Sequence, residues 1–281
     1  MVDTIRVGAW NSFALLPLLE GLGKGDGIAL EMNVPAHTAF RLRDRLTTIA
    51  FLSPIDFAKD SSGLRIVPDI GLWSNGGSGS VTVHFQTGLQ DIETLAVDPA
   101  YAAEAILAKI MFAEEFDASP QIVPVSGSIE QMLANADAAL LVGDAALRES
   151  AFHPNALDLT ESWVQMTDLP FVHGLWCARP EDLSPEIVEL LKSGRHTDEP
   201  TLATIAARAA HEKRFAGLSS ELLKEYLEGF FYTLPDDALE GMREFLRFAY
   251  YHGVLPDIPE IHTYSGPEEL EDEDPFAERQ N

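Results

Sequence analysis

The sequence predicts an α/β protein built as two lobes. Three observations carry this. Up to about residue 177, short apolar runs alternate with segments of helical period. Two strand-like runs, Ser80–Phe85 (SVTVHF) and Phe171–Cys177 (FVHGLWC), bracket a stretch of that alternation. After Pro185 the pattern turns wholly helical. Alternation of this kind argues for largely parallel sheets with helices as the crossovers. The bracketed stretch argues for a second lobe inserted into the first: residues 1–84 and 176–281 as lobe I, residues 85–175 as lobe II. The 281 residues suit two domains at about 150 residues each. A ligand cleft is then expected between the lobes, at strand C-termini and helix N-termini.

The elements follow in order. Thr4–Ala9 (TIRVGA) is a short buried strand, and apolar Ala14–Leu22 is the helix after it. Leu30–Val34 is a strand, Ala39–Thr48 has helical spacing, and Ile49–Leu52 is a buried strand. Ile66–Ile70 and Ser80–Phe85 are further strands, the second with two-residue alternation. Thr94–Val97 leads into the clearest helix, Pro99–Phe116, with Asp98 placed as its N-cap and Pro99 in its first turn. Gln121–Val125 and Ala138–Val142 are strands around a helix at Ile129–Ala134. Four helices follow Phe171–Cys177: Pro185–Lys192, Thr201–Phe215, Ser219–Phe231 and Asp236–His252. Ser and Pro residues mark their starts. The tail from Pro256 is rich in Pro and acid, which predicts a solvated end.

Composition excludes several functions. Asp and Glu number 45 against 19 Lys and Arg, a net charge of −26. Nucleic acid and anionic lipid both need a basic surface, so neither is an expected partner. Cys177 is the one cysteine, which rules out an intrachain disulfide and a multi-thiolate metal site. No run of 18 apolar residues suggests a membrane helix. MVDTIRVGAW lacks the basic start and apolar stretch of a signal peptide, so the cytoplasm is expected. There is no His-x-x-His, no Gly-x-Gly-x-x-Gly and no Walker loop, so neither a metal nor a cofactor is expected. Gly76-Gly77-Ser78-Gly79-Ser80 precedes a strand, the wrong context for phosphate. It reads better as backbone N–H groups lying close to a ligand carboxylate.

Several motifs carry a family resemblance. Ile5–Ser12 followed by Leu16-Pro17-Leu18 matches a strand with a Tyr-Leu-Asn-Ser…Pro-Leu motif. Ser53-Pro54-Ile55-Asp56-Phe57 matches a Ser-Ser-x-Glu-Tyr stretch. Leu141–Leu147 carries Gly-Asp-x-Ala-Leu. Asp158–Trp163 with Thr167–Val172 carries Asp-Leu-x-x-x-Trp…Thr-x-Leu-Pro-Phe-Val. Tyr226-Leu227 through Gly253–Pro256 matches in pattern. Over residues 4–256 the chain resembles the chorismate dehydratases of the futalosine route to menaquinone. The resemblance implies a type II periplasmic-binding-protein-like fold. It also implies a lyase that removes water from chorismate to give 3-[(1-carboxyvinyl)oxy]benzoate. The sequence departs from the family in three places. Trp10–Pro17 is longer between Asn and Pro, and Pro54 replaces a small hydroxyl residue. The family's Asp-x-x-(Ser/Thr)-x-x-Ser turn reads Asp98-Pro99-Ala100-Tyr101-Ala102-Ala103, without its Ser and Thr hydroxyls. Backbone N–H groups and the helix dipole remain there to hold a carboxylate.

Each candidate has two readings. The resemblance makes Asn11 catalytic; by itself it is a turn-forming Asn after the first strand. Ser12 falls in the same motif. The Gly79 N–H and Ser80 bind a carboxylate or simply form a loop. Ser53 follows a strand in the same way. Asp144 contacts a substrate hydroxyl or caps the next helix. Asp98 binds substrate through its turn or is a plain N-cap. Trp10, Phe13 and Phe171 wall the ring or belong to the core. His173, on a strand, reads as structural, and His211 and His252 as ordinary helix residues. Arg41, Arg43 and Arg45 spread around a helix and read as solvated. With no Lys or Arg beside these candidates in sequence, neutral donors are expected to hold the carboxylate. The competing function is a cytosolic solute-binding-like protein that closes on a small cyclic carboxylate without chemistry.

Overall fold

A computed structural model describes residues 4–22, 27–86, 88–152 and 156–266. Among them ten strands form two five-stranded sheets. The strands are β1 (Ile5–Trp10), β2 (Ile28–Asn33), β3 (Ile49–Leu52), β4 (Arg65–Ser74), β5 (Val81–Phe85), β6 (Thr94–Val97), β7 (Gln121–Pro124), β8 (Ala138–Val142), β9 (Ala156–Asp158) and β10 (Phe171–Ala178). The first sheet runs β2-β1-β3-β10-β4 and the second β7-β6-β8-β5-β9.

Each sheet is mixed rather than largely parallel. β1, β2 and β3 are parallel, and β10 pairs antiparallel with both β3 and β4. β6, β7 and β8 are parallel, and β5 pairs antiparallel with β8 and β9. The antiparallel strands are those by which the chain enters a sheet after leaving the other one. No helix crossover precedes them within their own sheet, so nothing forces them parallel. Sheet membership changes across residues 75–80 and again across 159–170. Divisions after residues 84 and 175 would fall inside β5 and β10.

The helices are α1 (Leu16–Leu19), α2 (Pro35–Arg43), α3 (Pro54–Ala58), α4 (Ala102–Phe116), α5 (Ile129–Leu133), α6 (Asp144–Phe152), α7 (Leu159–Thr167), α8 (Pro185–Gly194), α9 (Glu199–Ala209), α10 (Ser220–Glu228) and α11 (Asp236–Tyr251). Their starts follow local chemistry. Ser53, Ser128, Asp158, Ser184, Asp198 and Ser219 each cap a helix by accepting a first-turn N–H. α4 begins at Ala102, later than Pro99. Asp98 instead closes a turn, its carboxylate taking the Ala100 N–H at 2.9 Å and its carbonyl the Tyr101 N–H. The Ala14–Leu22 segment is a 3-10 turn, Phe13–Leu15, running into the short α1.

One core joins the two sheets. Leu52 and Leu175 of the first and Val83, Leu95 and Leu140 of the second lie in one buried cluster with α4 and α11. The other face of the first sheet packs on α8, α9 and α10 through Val7, Phe51, Val67 and Trp176. α5 and α6 cover the other face of the second sheet. Among the described residues no helix is long and apolar enough to cross a membrane.

Candidate functional site

A cavity opens where the two sheets meet. It encloses about 620 Å³, a figure that includes space open to solvent. Its wall is assembled from element ends. β1 ends into Trp10-Asn11-Ser12, β2 into Asn33-Val34, and β8 into Gly143-Asp144. Ser80 comes from the crossing before β5, Tyr101 and Glu104 from the start of α4, and His173 from β10. Tyr226 and Phe230 complete it from α10 and just beyond. Strand C-termini and helix N-termini therefore converge on it, as in other α/β clefts.

The polar atoms of this wall divide into satisfied and unsatisfied. The Asp144 carboxylate accepts the Phe13 N–H at 2.8 Å and the Arg214 guanidinium at 2.7 Å. Burial pushes its pKa up, while the Phe13 N–H and Arg214 pull the other way. His173 Nε2 lies 3.0 Å from Ser74 Oγ, and burial pulls the imidazole down to about 3, so it is neutral. Ser80 Oγ lies 2.7 Å from Ser78 Oγ. By contrast, Trp10 Nε1, Glu104 Oε2 and the Tyr226 hydroxyl are buried with no hydrogen-bond partner among the described residues. Such orphan groups are rare in folded proteins and call for an explanation. All three belong to residues lining this cavity. Among the described lining residues there is no Lys or Arg. An anion entering here meets amide, hydroxyl and indole donors rather than cations.

Gly174 makes part of this geometry possible. A Cβ there would fall 2.4 Å from the Phe51 ring and 2.8 Å from Trp10. With only hydrogen at 174, Trp10 lies edge-on against Phe51, ring centroids 4.9 Å apart.

The expected site residues separate. Asn11, Ser12, Ser80 and Asp144 come together in the cavity, as does Trp10. The other four lie elsewhere. Ser53 caps α3, accepting the Asp56 N–H at 3.1 Å. Asp98 lies outside the cavity wall and closes its own turn through Oδ1. Phe171 is core, edge-on to Trp163 and Phe245. Gly79 lines a neighbouring hollow, and its N–H goes to Asp158 Oδ2 at 2.6 Å. The glycine-rich stretch is thus a structural staple. Ser78 N–H donates to Thr160 Oγ1, and Thr160 in turn donates to Asp158, which caps α7. Phe13 is core, packed between Phe215 and Tyr226.

The family described as Menaquinone biosynthesis matches residues 5–251. The chain belongs to that family. A relative within reach of sequence comparison is the chorismate dehydratase of Thermus thermophilus, 27% identical over 238 residues, 78% of this chain and 86% of that protein. Among solved structures, protein AF1704 from Archaeoglobus fulgidus superposes with a TM-score of 0.69 at 20% identity, over 90% of this chain and 98% of that one. The Candida albicans CA3427 gene product, of the generic periplasmic binding protein fold, gives 0.63 at 12%, over 91% and 92%. Likeness at these identities speaks to the fold, which is that of the periplasmic binding proteins.

At the start of α4 the two side chains facing the cavity are Tyr101 and Glu104. Neither was singled out from sequence, nor were Asn33, Tyr226 and Phe230. A signal for Glu104 existed: it shares a helical face with Leu107, Ala108 and Met111, all fully buried. An acid on the apolar face of a helix is the exception worth following.

Proposed function

We propose that this protein binds chorismate between its two sheet units, acting as two lobes, and removes water from it. The product of that reaction is 3-[(1-carboxyvinyl)oxy]benzoate. The observation that carries the reading is that Asn11, after β1 of the first sheet, and Ser80, before β5 of the second, line one cavity. Membership of the menaquinone biosynthesis family and the Thermus thermophilus relative support it.

The chemistry asks little of side chains beyond positioning. The C4 hydroxyl leaves with its bonding pair, C3 gives up a proton, and the C3–H pair becomes a ring double bond. Aromatisation drives the step. In this reading the Asn11 amide and the Ser12 and Ser80 hydroxyls hold the substrate's oxygens, with Trp10 Nε1 and the Tyr226 hydroxyl as further donors. Leu72, Val142 and Phe230 offer apolar surface to the ring. In a partly enclosed site, neutral donors are worth more to an anion than they are in water. Orientation of the leaving group against the C3 hydrogen is the main contribution expected of the protein.

The test is to mix purified protein with chorismate and follow the aromatic product by chromatography. A second reading, binding without chemistry, is favoured by the turn at Asp98–Ala103, which has no Ser or Thr. It predicts ligand-induced thermal stabilisation with chorismate recovered intact.

A further inference from the structure

Glu104 occupies the third position of α4 and is only 7% exposed. It lines the cavity, and its Oε2 is shut off from water without a hydrogen-bond partner among the described residues. The groups around it are these. Asp56 on α3 acts on it as a like charge and is itself paired with Lys59. Tyr101 lies just before its own helix. His173 on β10, Asp144 on α6 and Tyr226 on α10 face the same cavity, and the imidazole among them is neutral. Of the cations beside these groups, Lys59 is held by Asp56, and Arg214 by Asp144 and Glu212. A carboxylate here would lose its hydration and leave Oε2 without a partner. Burial first, then Asp56, hold the Glu104 carboxyl up at about 7, against the pull of its own helix N–H. As the neutral acid the same group is a donor, and a cavity without cations needs donors.

We propose that Glu104, as a neutral acid, donates its proton in a hydrogen bond to a carboxylate oxygen of the bound ligand, so that the cavity takes up an anionic ring together with one proton. This rests on the carboxylate-ligand reading above and adds to it a residue of this chain's own. No covalent bond changes; the proton stays shared between two oxygens. At low pH the acid is already protonated and binding is independent of pH. Once Glu104 ionises, the ligand must bring a proton with it, and affinity falls by up to about tenfold per pH unit.

The probe is 3-[(1-carboxyvinyl)oxy]benzoate, itself fully ionised over the range used. Titration calorimetry runs from about pH 6 to about pH 8.5, in buffers of different ionisation enthalpy. For the unmodified protein, proton uptake is expected to approach one per ligand at the alkaline end. Affinity is expected to drop about tenfold over the last pH unit. Glu104→Gln keeps a donor but has no titration; it is expected to bind with flat pH dependence and more tightly than the unmodified protein at the alkaline end. Flat affinity without proton uptake in the unmodified protein, or the same linkage in Glu104→Gln, overturns the proposal. Chorismate turnover measured on the same samples separates the two readings. Turnover without linkage removes the role of Glu104 and leaves dehydration standing. Linkage without turnover does the reverse, and no binding at the acid end removes both.

Discussion

Asp144, the first residue of α6 behind the second sheet, accepts the backbone N–H of Phe13, which opens the 3-10 turn after β1 of the first sheet. The carboxylate caps an element of the other sheet's unit, not its own helix. Its second oxygen takes Arg214, from the segment between α9 and α10. One side chain thereby ties three distant parts of the chain at the cavity's edge. Asp144→Ala is expected to leave the Phe13 N–H and Arg214 without their acceptor and to lower stability by about 1–3 kcal/mol. Asp144→Asn keeps one acceptor oxygen and is expected to lose less. Urea unfolding of the three proteins measures the difference. Equal stability across the series would remove Asp144 as a tie.

Asn11 is exposed, lines the cavity, and has its backbone N–H anchored on the Asn33 carbonyl at 2.8 Å. Its side chain is therefore free to serve the ligand without holding up the fold. Asn11→Ala is expected to reduce kcat/KM for chorismate by about 10²–10³, the loss typical of one transition-state donor. Circular dichroism and Tm are expected to stay unchanged. A variant with full turnover would take Asn11 out of the mechanism.

Phe171 tests the division between core and site. It packs edge-on against Trp163, Phe245 and His173, outside the cavity wall. Phe171→Ala is expected to destabilise by about 3–5 kcal/mol. Phe171→Leu, with a smaller loss, is expected to bind ligand as the unmodified protein does. A weakened ligand affinity in the Leu variant would place this ring back in the site.

Two buried groups set opposite pH dependences of stability. Burial holds the His173 imidazole near 3, below its ordinary 6.5. The unfolded chain therefore binds the extra proton first, and stability from this group is lost as pH falls from about 6.5 towards 3, at up to about 1.4 kcal/mol per unit. Burial holds Glu104 near 7, above its ordinary 4.5. Here the folded state keeps the proton longer, and stability is lost as pH rises from about 4.5 to about 7. Glu104→Gln is expected to be more stable than the unmodified protein at about pH 8, by about 2–4 kcal/mol, and close to it at about pH 4.5. Thermal unfolding at the two pH values checks this; a gap of the same size at both would mean that Glu104 does not titrate as described.

Much of the architecture was legible in the chain. Apolar runs such as Ala138–Val142 are strands because every residue is buried, which leaves a continuous hydrophobic signature rather than an alternating one. Helix starts at Ser184-Pro185 and Ser219 follow from capping chemistry, which is local. Asn11 and Ser80 were legible because a residue directly after or before a strand falls at a sheet's end, and Ser12 through the motif it shares with Asn11. Strand direction was less legible. β10 carries the same kind of apolar run as the parallel strands while β5 alternates, and pairing direction depends on where the chain has come from.

What the sequence determined by itself is whatever depends on near neighbours: strands, caps, turns, and an acidic chain short of cations. Tertiary structure alone decided which polar groups are left facing one another across the two sheets. Asp98 and Gly79, plausible in isolation, are held by bonds within their own surroundings. Glu104, an ordinary helix residue by composition, became a buried acid with one unpartnered oxygen at a cavity because α4 turns that face inward beside Asp56 of α3. The physical reason is that hydration and hydrogen-bond partnership are set by every element packed around a group, and those elements come from segments far apart in the chain.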